Sequence, residues 1–229
     1  MKELGEALKA IFDKIGDFFD ILDLSFFISG AAGFGAFTFW GYLYGMEWPK
    51  ALTGGVGILA VLITCYLFGL FCFALGRLIG KVSRFNMKGE NFGKRFCEIL
   101  TAHGLIEQEP FKGYMARKES NGAWRLYVRL WAEIRQTPAL SASMSLIRRY
   151  WVMAATYDGL SAAILMWIVV LIAWQFGSSS TPPPGRWIFI LNVSLSIIMV
   201  VICLREAGRY VEYQMEELVA TISSERSRR

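Results

Sequence analysis

Four blocks of this chain, at residues 26–48, 54–76, 152–176 and 187–204, are apolar and all but free of charge. Each has the length a bilayer demands: crossing a hydrocarbon core of about 30 Å takes roughly 20 residues at a helical rise of 1.5 Å. Inside hydrocarbon a helix satisfies its own backbone, and the only other solution is a closed barrel. The blocks lack the strict alternation of barrel strands, so helix is the expected state for all four. Hydrophobic residues make up 55% of the chain and charged residues 19%, a balance unlike that of an ordinary soluble domain. A cleaved signal peptide fits poorly, because the first block follows 24 residues carrying six acids rather than a short basic stretch.

The positions of lysine and arginine set the orientation. Residues 77–151 hold fourteen basic and six acidic side chains, a balance of +8, whereas the connections at the other ends of the spans hold only Lys50 and Arg186. By the positive-inside rule the large segment and both termini are cytoplasmic. The expected fold is thus an all-α membrane protein with four transmembrane helices and an α-rich cytoplasmic domain inserted between helices 2 and 3. Its parts are a cytoplasmic amphipathic helix (1–24), transmembrane helices 1 and 2 (25–77), the basic domain (78–151), transmembrane helices 3 and 4 (152–204), and a C-terminal helix and tail (205–229).

The first segment repeats Leu4, Leu8, Ile11, Ile15, Phe18 and Leu22 at helical spacing. Its net charge of −3 favours docking on the basic domain over lying on an anionic membrane surface. Span one combines small residues with aromatics. Ser29-x-x-x-Gly33 and Gly41-x-x-x-Gly45 let helix backbones approach closely. They pack either against the other helices of the same chain or around a symmetry axis, and in the second case Ser29, Gly33, Phe34, Phe37, Trp40 and Tyr44 line a pore.

Span two continues as helix through Arg77 and Lys81, and Gly89 and Gly93 interrupt the path before an apolar face of Phe92, Phe96, Ile99 and Leu100. Trp124, Tyr127, Val128 and Trp131 fall at i, i+3, i+4 and i+7, which predicts a helix, although a hairpin turning at Asn121-Gly122 matches the alternation in 124–130. A further helix starts near Ser141 and runs into span three, and residues 223–229 read as disordered.

Patterns for catalysis are missing. One histidine, His103, excludes histidine-rich metal centres, and no Walker A, GxSxG, HExxH or GxGxxG sequence occurs. Neither an enzyme nor a resident metal or cofactor is expected. Cys65, Cys72 and Cys203 lie in spans as small hydrophobes, and Cys97 completes no metal spacing. Asp158 is the one acid near a span, placed either for pairing with Arg77 or Arg149 or for ion coupling. Spans so poor in charge disfavour a secondary transporter. Any pore would be walled by apolar and aromatic groups, and its +8 mouth would favour anions.

Cations and aromatics interleave in the basic domain, which is the pattern that single-stranded nucleic acid or a nucleotide needs for phosphate tracking and base stacking. The candidate ligand residues are Arg84, Lys88, Lys94, Arg95, Arg117, Lys118, Trp124, Arg125, Tyr127 and Arg129. The competing assignment places those aromatics in the domain core.

Three junctions carry a resemblance: the span-two exit Leu75-Gly76-Arg77-Leu78-Ile79-Gly80, the approach Leu146-Ile147-Arg148-Arg149-Tyr150 to span three, and the span-four exit Arg205-x-x-x-Arg209-Tyr210. With the four-span layout, they resemble small membrane effectors of bacterial anti-phage operons. The chain is similar to the channel subunit of the Hailong system, and the membrane subunit of the Kiwa system shares the span count. The resemblance implies a homotetrameric ion channel held shut by a short single-stranded DNA oligomer. It also implies an operon-encoded nucleotidyltransferase as partner and loss of viability on opening. The alternative is a non-conducting membrane sensor or anchor that recruits a soluble defence partner.

Overall fold

The computed structural model describes residues 21–46, 55–82, 90–105, 122–177 and 179–228. Among them every regular element is helical: α1 (Ile21–Leu43), α2 (Gly55–Val82), α3 (Glu90–Ala102), α4 (Gly122–Gln136), a 3-10 turn at Pro138–Leu140, α5 (Ser141–Phe176) and α6 (Arg186–Arg228). Four of these helices, α1, α2, α5 and α6, are long and apolar enough to cross a membrane. The helix predicted over 1–24 lies, apart from residues 21–24, outside the described residues.

The chain divides into two compact units, one comprising Met1–Gly76 and Asp158–Cys203, the other Arg77–Tyr157 and Leu204–Arg229. In the first, glycines let backbones touch. A Cβ on Gly30 would overlap the Cys65 carbonyl of α2, one on Gly69 the Phe26 carbonyl of α1, and one on Gly76 the Asp158 carbonyl of α5. In lipid, which supplies no hydrophobic drive between helices, close van der Waals contact of this kind is what would associate them. Trp167 of α5 donates its indole N–H to the Ala32 carbonyl at 3.0 Å. Ser180 donates both its backbone N–H and its hydroxyl to the Leu43 carbonyl, each at 2.9 Å, tying the α5–α6 connection to the end of α1.

The second unit has a core of its own. Phe92, Phe96, Ile99 and Leu100 of α3 meet Leu126, Tyr127, Leu130 and Ile134 of α4, together with Ile147 of α5. Met215, Leu218, Val219 and Ile222 of α6 complete it. Three expectations change here. Gly93 lies inside α3 rather than breaking it. The region after Asn121 is helix, as its spacing predicts, but its buried stripe is 126/127/130/134 rather than 124/127/128/131, which leaves Trp124 and Val128 half exposed. Residues 223–228 are helical because they extend a helix already anchored by that core.

α3 ends in a left-handed glycine cap. Gly104 has φ +66°, its N–H reaches the Thr101 carbonyl at 3.0 Å, and the Leu105 N–H reaches the Leu100 carbonyl at 3.0 Å. Leu105 thereby turns into the core. Gly45, at φ +71°, closes α1 in the same way, with the Met46 N–H on the Gly41 carbonyl at 2.9 Å.

Candidate functional site

The amphipathic pattern of α3 and α4 determines which of their candidate residues are displayed. Burying 92/96/99/100 turns Lys94 outward, and burying 126/127/130/134 turns Arg125 and Arg129, one helical turn apart, outward as well. The N-terminal turns of the two helices adjoin: a Cβ on Gly93 would sit 3.6 Å from that of Ala123. Trp124 lies there with half of its surface exposed, its ring 5.7 Å from Phe92 and 5.4 Å from Tyr127. One end of the α3–α4 pair thus carries Lys94, Arg125 and a half-exposed indole. Helix N-termini add backbone N–H groups with partial positive charge.

The remaining candidates separate from this group. Tyr127 is a core residue packed edge-on against Phe92 at 5.4 Å and Phe96 at 5.8 Å. Burial pushes its phenol pKa up to about 12, and Trp124 stacks on its ring, so no face is open to a base. Arg95 is held by two carboxylates, Glu98 at 3.0 Å and Glu212 of α6, and those hydrogen bonds, that to Glu98 foremost, raise its pKa. Its charge is largely balanced within the unit. Arg84, Lys88, Arg117 and Lys118 lie outside the described residues.

A cleft of about 280 Å³ lies elsewhere in the second unit, lined by Ile99, His103, Tyr150, Tyr213, Glu216 and Glu217 among others. Two carboxylates make it a poor site for phosphate. Beside it Arg209 donates to Glu206 at 2.9 Å and to the Tyr213 hydroxyl at 2.8 Å, with the guanidinium 5.7 Å from the Tyr213 ring centre. Tyr150, Tyr157, Tyr210 and Tyr213 form a continuous ring cluster with centroids 5.7–6.3 Å apart. Sequence reasoning missed this wall of α6. The spacing of Met215, Leu218, Val219 and Ile222 carried the signal, masked by the charges between them.

The pore candidates of α1 divide into two sets. Ser29 is buried and donates back to the Phe26 carbonyl at 3.1 Å, and a Cβ on Gly159 of α5 would come within 2.7 Å of its Oγ. Gly33 faces α2, where a Cβ would lie 2.7 Å from the Cys72 Sγ. Phe34 packs on Phe68 of α2 at 5.6 Å. Phe37, Trp40 and Tyr44 form an exposed aromatic column, with Phe37–Trp40 at 6.2 Å and Trp40–Tyr44 at 5.5 Å. Among the described residues no group of three His, Cys, Asp or Glu side chains could hold a metal ion.

Neither a protein-family model, a curated protein nor a solved structure matches this chain.

Proposed function

We propose that the chain is an oligomeric membrane effector whose basic helical unit binds a nucleotide or single-stranded DNA oligomer on its cytoplasmic side. The ligand gates an apolar-walled, anion-favouring channel of the kind that anti-phage operons encode. The observation that carries the reading is the grouping of Lys94, Trp124 and Arg125, with Arg129 one turn on, at the adjoining ends of α3 and α4. Cations there track phosphates while the indole stacks a base, an interaction of about 1–3 kcal/mol per base. The +8 balance of residues 77–151 draws polyanions to the unit and concentrates anions at a pore mouth.

The test is binding of labelled single-stranded DNA to the detergent-purified protein as salt is raised, with conductance followed in planar bilayers. Affinity is expected to fall steeply with salt. Arg125→Glu and Arg129→Glu should each weaken binding several-fold and flatten the salt dependence. Weak binding that ignores salt and both reversals would reject the reading.

One observation favours a second reading, a non-conducting anchor that recruits a soluble partner. Ser29 and Gly33, the close-packing residues of α1, are engaged with α2 and α5 of the same chain. A protein that stays monomeric and passes no current would establish that alternative.

A further inference from the structure

Within the first unit α6 is the helix with least cover. Between Arg186 and Cys203 only Val200 and Cys203 are buried, and Phe189 touches Phe176 of α5 at 5.8 Å. Beside that inner stripe run Ile188, Asn192, Leu195, Met199 and Ile202, all exposed and spaced by steps of four, three, four and three. These positions have the spacing of an a/d seam, with Asn192 and Met199 at a and the other three at d. The exposed set 187/191/194/198/201 has the same spacing, and what distinguishes the first is the amide of Asn192.

Asn192 gives the seam its meaning. An amide side chain offers two donors and an acceptor with two lone pairs. Here one N–H goes to the Ile188 carbonyl at 2.8 Å, and the rest of the amide faces outward. The residue lies about 9 Å along the axis from Arg186 and about 20 Å from Arg205, inside the apolar stretch, and its side chain is too short to reach water from there. Lipid would leave the amide oxygen and the second N–H without partners, which hydrocarbon penalises heavily. Apolar neighbours alone would be content with lipid, but an amide is not. A second amide at the same depth is self-complementary, and a single asparagine at an a position fixes register in helix pairs.

We propose that copies of this chain associate in parallel through the exposed seam Ile188–Asn192–Leu195–Met199–Ile202 of α6, with Asn192 hydrogen-bonded to Asn192 of its neighbour. The inference rests on the oligomeric reading above and specifies its surface. In a cyclic assembly a helix that touches its own counterpart stands beside the symmetry axis. That position falls to α6 rather than α1, and Asn192 becomes a polar ring in an otherwise apolar wall. The exposed Trp40 and Tyr44 then stand at the lipid boundary, where aromatic side chains collect.

Two measurements on the full chain test this. In lipid vesicles, oxidative crosslinking of Leu195→Cys should give covalent dimers above the background of the unmodified chain, whereas Ile197→Cys, on the opposite face of the exposed helix, should not. By native mass spectrometry, Asn192→Leu should raise the protein-to-lipid ratio needed for half-assembly by roughly tenfold, with Asn192→Gln partly restoring it. An oligomeric protein that crosslinks equally at both positions, or only at Ile197→Cys, overturns the seam but leaves oligomerisation standing. Unmodified protein that is monomeric at every ratio overturns both. Asn192 is exposed, so its substitution does not endanger the fold of one copy.

Discussion

Gly69 faces the Phe26 carbonyl and Gly30 the Cys65 carbonyl, so each marks a point where two backbones meet with no side chain between them. Gly35 differs, because a methyl there would meet only the Trp167 ring, at an ordinary 3.6 Å. Gly69→Ala should therefore push α1 from α2 and cost about 1–3 kcal/mol. Gly35→Ala should stay near neutral, helped by the better helix propensity of alanine. Thermal unfolding in lipid nanodiscs reads the difference, and equal losses at the two positions would contradict the close approach. The same scale separates Trp124 from Tyr127. They are three residues apart and alike in a sequence pattern, yet one is a half-exposed face and the other a buried phenol.

At the scale of elements, α6 is 43 residues long, about 65 Å, roughly twice what a bilayer core needs. Its distal half buries Met215, Leu218, Val219 and Ile222 beside α3 and α4. Leu218→Ala should destabilise the second unit by about 2–5 kcal/mol, whereas Ser224→Ala, on the exposed side, should stay within about 0.5 kcal/mol. Helical signal against denaturant checks both. The spans were legible because 18 or more consecutive apolar residues admit few structures. The α3 face at 92/96/99/100 and the start of α5 at Ser141 were legible from spacing and from Thr137-Pro138. The stripe of α4 was misjudged because aromatic residues sit on two of its faces, and periodicity does not say which face a neighbour covers. For α6 beyond residue 204, balanced acids and bases hid four core residues, since a polar helix declares its buried side only when its partner is known. That gap also concealed the Glu212 partner of Arg95.

For the whole molecule, the proposed orientation puts Cys97 in the cytoplasm, partly exposed, while Cys65, Cys72 and Cys203 are buried. A membrane-impermeant thiol reagent should label Cys97 in inside-out vesicles and spare it in right-side-out ones. Burial raises its pKa, so the reaction is run on the alkaline side of neutral. The reverse pattern would invert the topology. The core of the second unit also has a consequence for synthesis. Ile147 is translated about 70 residues before Met215, and the apolar stretches of α5 and α6 come between them. At roughly 5–20 residues per second the nascent α3–α4 pair waits on the order of several seconds with the α6 side of its core open. A ribosome that stalls or terminates early in α6 would release a chain whose second unit lacks one wall of its core, a state open to chaperone binding or proteolysis.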